Sequence, residues 1–185
     1  MDERPWGPGR RAAPAGMSDV ERLLAYEEIR QLVARYALAL TAADLDALVE
    51  LFVPDVRASR TATGRDALRE AFARQLTEPV YVLDVGTHVI NLLGPDDAAG
   101  TVLCTVEFGG RDGWARQLVG YEDTYTRRDG TWYFVRRHHQ LFYGVPTAET
   151  PLAQEPAEWP RRQVGRGTLP QAWRTWRDFT GRDDV

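Results

Sequence analysis

The chain has 185 residues, enough for one domain with its own core and too few for two, and 43% of them are apolar. All 23 basic residues are arginine, and the lack of lysine excludes lysine Schiff bases, lysine-anchored pyridoxal phosphate and a P-loop. A net charge of −4 without a basic stripe argues against nucleic acid, one cysteine (Cys104) argues for the cytoplasm, and no apolar run approaches the roughly 18 residues of a membrane span.

Residues 1–16 mix Pro, Gly, Arg and Ala without periodicity and read as a disordered leader; no apolar h-region follows their basic residues, so they do not form a signal peptide. Ser18-Asp19-Val20-Glu21 is a capping box, and a first helix over roughly 19–40 puts Tyr26, Ile29, Val33, Tyr36 and Leu40 on one stripe. Thr41-Ala42-Ala43-Asp44 repeats the capping signature before a second helix with Leu45, Leu48, Val49 and Phe52 inward, ended by Pro54. Thr63-Gly64-Arg65-Asp66 predicts the same start for a third helix, with Ala67, Leu68, Ala71, Phe72 and Leu76 inward.

After Pro79 the period changes, predicting strands over roughly 80–93, 98–109, 115–128 and 131–143, joined by short Gly- and Asp-rich turns, with a brief extra strand near 55–60. Three helices before an antiparallel meander give an α+β fold with the helices on one face of a curved sheet. This domain spans 17–144; residues 145–185 form an extension rich in Pro, Arg and Trp, with a short helix or arm at 169–176.

Histidine is the side chain whose ordinary pKa lies nearest neutrality, and His88 sits in the apolar run Val85-Gly86-Thr87-His88-Val89-Ile90-Asn91-Leu92-Leu93. Strand alternation places Asp84, Gly86, His88 and Ile90 on one face. His88 reads either as a proton-transfer group or as a core histidine bonded to main chain. Tyr36, on the buried helical stripe, reads either as a substrate contact or as a core aromatic. Two acids could partner His88. Glu107 lies near a Gly-rich turn and suits a solvent face, whereas Asp123 shares a face with Tyr121 and Tyr125. Arg137 and His139 share a face of the last strand and, if inward, could orient a carboxylate or polarise an enolate oxygen. His138 and His139 are adjacent and point oppositely, so a zinc site is not expected.

The order Ile29-Arg30-x-Leu32-x-x-x-Tyr36, Asp44-x-Asp46-x-Leu48-x-x-Leu51-Phe52, Gly64-Arg65-x-Ala67-Leu68, His88-x-x-Asn91, Tyr121-x-Asp123-x-Tyr125 and Gly130-x-Trp132-x-Phe134-x-x-Arg137 resembles the SnoaL-like branch of the nuclear transport factor 2-like superfamily. The resemblance spans roughly 20–143 and implies a cone-shaped barrel enclosing a deep pocket. It implies dehydratase, cyclase or isomerase chemistry without metal or organic cofactor, on a hydrophobic polyketide-, terpenoid- or steroid-like molecule, and a homodimer or homotrimer assembled through the sheet. His88 then matches the general acid/base, Tyr36 points its hydroxyl into the pocket with Asp123 as the acidic candidate, and Arg137, Glu107, His139 and Asn91 are candidate substrate contacts. Thr41 stands where the dehydratases place an aspartate. It cannot act as a base, which leaves it as a helix cap and substrate contact and favours cyclisation or isomerisation over dehydration. The competing class is a non-catalytic binding or scaffolding subunit, with Trp159, Trp173 and Trp176 in the extension supplying either a contact surface or a lid.

Overall fold

The computed structural model describes residues 14–158 and 160–183, so most of the 1–16 segment expected to be a leader, and Trp159, lie outside the described residues. Helix α1 (Asp19–Thr41) opens on the expected capping box: Ser18 Oγ accepts from the Glu21 amide, and the Glu21 carboxylate accepts from the Ser18 amide. Its buried face carries Ile29, Leu32, Val33, Tyr36 and Leu40, with Tyr26 half-buried at the margin. Thr41 is the last residue of this helix and does not cap the next one. Asp44 does, accepting from the Ala47 amide at the start of α2 (Leu45–Glu50), where a carboxylate also suits the positive end of the helix.

The expected Thr63 cap is also replaced. Helix α3 (Arg65–Gln75) starts from Gly64 at φ 98°, a conformation glycine tolerates, with no side-chain cap. Arg65 instead reaches back and donates to the carbonyls of Glu50 and Phe52, tying α3 to the end of α2. The extra strand near 55–60 reduces to a single bridge between Arg57 and Thr63.

Strands β1 (Val80–Leu92), β2 (Asp97–Gly109), β3 (Trp114–Arg128) and β4 (Thr131–Pro146) form one antiparallel meander in sequence order. Asp129 at φ 50° and Gly130 at φ 80° make the two-residue β3–β4 turn, the primed geometry that matches strand twist. The sheet does not close, so the cone is open, with β1 and β4 as its edges and α1 against its inner face.

Three bulges interrupt the sheet, one of them at Leu118 and Val119, and the other two re-aim side chains of the site. One between Val85 and His88 puts Leu83 and Val85 inward before it and His88, Ile90 and Leu92 inward after it. Asp84 and Gly86, which strict alternation placed beside His88, therefore point outward. A second, opposite Thr124 and Tyr125, brings Phe134 and Arg137 to the same side.

The main core joins α1, α2 and the inner sheet face. A second cluster holds Val80, Trp114, Leu152 and Trp176, the last from α4 (Arg174–Thr180). Trp176 Nε1 donates to the Pro79 carbonyl at 2.7 Å, and Thr175 Oγ1 to that of Ala42 at 2.8 Å. The extension thus folds back on its own domain. Among the described residues no helix is long and apolar enough to cross a membrane.

Candidate active site

Between α1, α3 and one end of the inner sheet face lies a cavity of about 700 Å³. Leu40, Phe52, Leu68, Phe72, Leu83 and Val106 give it apolar walls. Tyr36, Tyr121, Arg137 and His139 form its polar end.

Arg137 and Asp123 are paired across β3 and β4 as register partners, and both side chains are almost wholly buried. The pairing is bidentate: Arg137 Nε donates to Asp123 Oδ1 at 2.9 Å and Nη2 to Oδ2 at 2.7 Å. The guanidinium also lies 4.2 Å from the Tyr36 ring centroid, 4.3 Å from that of Tyr121 and 4.5 Å from that of Phe134. A charge this deep is tolerable only with such partners. Burial favours a neutral Arg137, but the Asp123 charge and hydrogen bonds outweigh it and raise its pKa, so it stays cationic.

The pair continues as a hydrogen-bonded chain. Tyr125 Oη donates to Asp123 Oδ2 at 2.8 Å, and His88 Nε2 stands 3.2 Å from Tyr125 Oη. A carboxylate held by arginine only accepts, so the tyrosine proton points to Asp123 and its oxygen is left as an acceptor. His88 Nε2 must then carry the proton, leaving the lone pair on Nδ1. Burial lowers the His88 pKa to about 4; Asp123 opposes that shift, while Arg137 and Arg30 add to it. The imidazole is neutral near pH 7, in the tautomer a base requires. Burial also raises the Tyr36, Tyr121 and Tyr125 pKa values, keeping all three phenols protonated, and pushes the inward Cys104 thiol up to about 11.

The structure thus brings together Tyr36, Asp123 and Arg137, with His88 at the far end of their chain; His88 is not among the residues lining this cavity. His139 is, its ring centroid 5.5 Å from that of Tyr121, and burial with the neighbouring His138 lowers its pKa. His138 faces the other way, with Nδ1 3.6 Å from Glu122.

Three expected contacts fall elsewhere. Thr41 Oγ1 accepts from the Leu83 amide at 3.2 Å and so ties α1 to β1, because a hydroxyl can satisfy a strand amide where the helix ends. Glu107 points to the outer face, where it accepts from Trp114 Nε1 and Arg116; burial opposes these bonds, but they hold its pKa below the usual range. Asn91 alternates with the inward Ile90 and Leu92 and faces outward.

Tyr125, read from sequence only as a face-mate of Asp123, and Gly100, which the sequence did not mark, complete the arrangement. A Cβ on Gly100 would lie 2.9 Å from both Cε2 and Oη of Tyr125, so only glycine leaves room for that hydroxyl. The signal for Tyr125 was its place in Tyr-x-Asp-x-Tyr, which shares one face; Gly100 had none.

Residues 21–138 match the model of the SnoaL-like domain, SnoaL_4, and the chain belongs to this family. Solved structures share its fold within the nuclear transport factor 2-like superfamily. A candidate scytalone dehydratase from Novosphingobium aromaticivorans DSM 12444 is similar at 21% identity and TM-score 0.62, over 69% of this chain and 91% of that one. The hexachlorocyclohexane dehydrochlorinase LinA-type3 from Novosphingobium barchaimii LL02 is similar at 16% identity and TM-score 0.64, over 72% and 97%. An NTF2-like protein with a cystatin-like fold from N. aromaticivorans reaches 28% identity and TM-score 0.54, over 69% and 92%. No curated protein matches the chain.

Proposed function

We propose that this protein is a cofactor-independent acid/base enzyme that dehydrates, isomerises or cyclises a hydrophobic small molecule of polyketide, terpenoid or steroid type. The observation carrying this reading is the hydrogen-bonded chain from Arg137 through Asp123 and Tyr125 to His88, which favours a proton on Nε2 and a free lone pair on Nδ1. Arg137 keeps donors beyond the two given to Asp123, and with the Tyr36 hydroxyl it would stabilise an alkoxide or enolate oxygen at the cavity floor. His88 does not line the cavity, so its Nδ1 would take the proton from the adjacent carbon only once the ligand extends past the polar end formed by Tyr36, Tyr121 and Arg137. Dehydratase and dehydrochlorinase neighbours support elimination and related proton transfers on this scaffold.

The cavity-wall position of His139 favours a second assignment, in which it is the base and His88 only positions Asp123 through Tyr125. Turnover of His88→Ala and His139→Ala with a cyclic β-hydroxyketone or its enone separates them. General-base loss costs about 10²–10⁴-fold, so His88→Ala should fall by that much and His139→Ala by only a few fold. The reverse result moves the base to His139, and full turnover in both sinks the acid/base reading.

A further inference from the structure

The cavity has a sign as well as a shape. Its lining contains Arg57, Arg74, Arg136, Arg137 and His139, and among the described residues no Asp or Glu, although the chain carries more acidic than basic side chains. The lining phenols of Tyr36 and Tyr121 are held protonated and add no negative charge. At the floor Arg137 is neutralised by Asp123, so the excess positive charge lies elsewhere.

It lies at the rim. Arg74 is partly offset by Glu70 at 3.5 Å, but among the described residues Arg57 and Arg136 have no carboxylate partner. Arg57 is nevertheless fixed in place, since its Nε donates to the Ser59 carbonyl at 3.1 Å and its Nη2 to that of Arg60 at 3.5 Å. A guanidinium held by backbone carbonyls keeps its full charge and its remaining donors.

Resting on the reading above that this cavity is the substrate site, we infer that its ligand is an apolar ring compound bearing a carboxylate. The carboxylate sits between Arg57 and Arg136 at the mouth, and the ring body lies among Leu40, Phe52, Leu68 and Phe72. The carbon to be deprotonated is then carried in toward Tyr36 and Arg137. A neutral polyketide or steroid would leave the rim arginines without a counter-charge; a carboxylate supplies one and sets which end of the molecule enters first.

Equilibrium binding of 2-naphthoate and methyl 2-naphthoate, followed by calorimetry at low salt, tests this on the full chain. The acid should bind at least about tenfold tighter than the ester, and 0.5 M NaCl should shrink the difference. The Arg57→Gln/Arg136→Gln double variant should bind the two alike while holding the ester as the parent does, which also shows that its cavity is intact. Equal or tighter binding of the ester, no binding of either probe, a preference that survives the double substitution, or loss of the ester in that variant would each overturn the assignment. Neither probe offers a leaving group, so these outcomes do not depend on which histidine is the base.

Discussion

At His88 the conflict between burial and charge has a sign that pH can read. The ring's ordinary pKa of 6.5 drops to about 4 in the fold, so between those values the unfolded chain binds the proton more readily than the native one. The contribution to stability is therefore full above pH 6.5 and is lost as pH falls toward 4, on the order of 2 kcal/mol after allowing for the ring's partial exposure. Unfolding in urea at pH 7 and pH 4.5 should show His88→Asn losing less stability than the parent on acidification; equal losses would mean that the fold does not hold this ring neutral. The inward direction of His88 was legible in the sequence because alternation with Ile90 survives the bulge. The outward turn of Asp84 and Gly86 was not, because the extra residue leaves no mark in composition. The bridging of Asp123 to His88 by Tyr125 was not legible for a related reason. Asp123 is local to Tyr125, but the room for the tyrosine ring is provided by Gly100 on the neighbouring strand, and cross-strand register is not written in either segment alone.

Helix α3 is the least anchored wall of the cavity. None of its residues is fully buried, whereas α1 buries eight. Its attachments are Arg65 on the end of α2, an exposed Arg69–Asp46 ion pair at 2.6 Å, and Phe72, Leu68 and Leu76 packed half-buried on the core, Phe72 against Tyr36 and Phe52. Amide exchange by mass spectrometry should therefore be faster over residues 65–75 than over 29–40, and a ligand in the cavity should slow the former selectively. Equal protection of both helices would contradict this ranking. All three helices were readable from apolar spacing, and so were the four strands, because the change of period after Pro79 is abrupt. Their starts were less legible. Thr-x-x-acid occurs before both α2 and α3, yet Asp44 and Gly64 hold the cap positions, since the cap is decided by backbone conformation and not by residue type alone.

Across the whole molecule, the second cluster joins parts that are distant in sequence. Trp176 fills the space between Val80, Trp114 and Leu152, and Thr175 bonds the turn after α1. Replacing a buried tryptophan of this kind with alanine costs about 3–5 kcal/mol, so Trp176→Ala should shift the urea midpoint by that equivalent, while its absence from the cavity lining predicts little change in ligand affinity. An unchanged midpoint would show that the extension adds nothing to the domain. The sequence marked the extension by its Trp and Pro content but not its destination, because nothing local pairs residue 176 with residue 79. That pairing also orders events during synthesis. The sheet and the three helices can assemble once β4 has left the ribosome, but Pro79, Val80 and Trp114 stay uncovered until some thirty residues more have emerged. In that interval the nascent domain presents an apolar patch, a natural place for a chaperone to hold it.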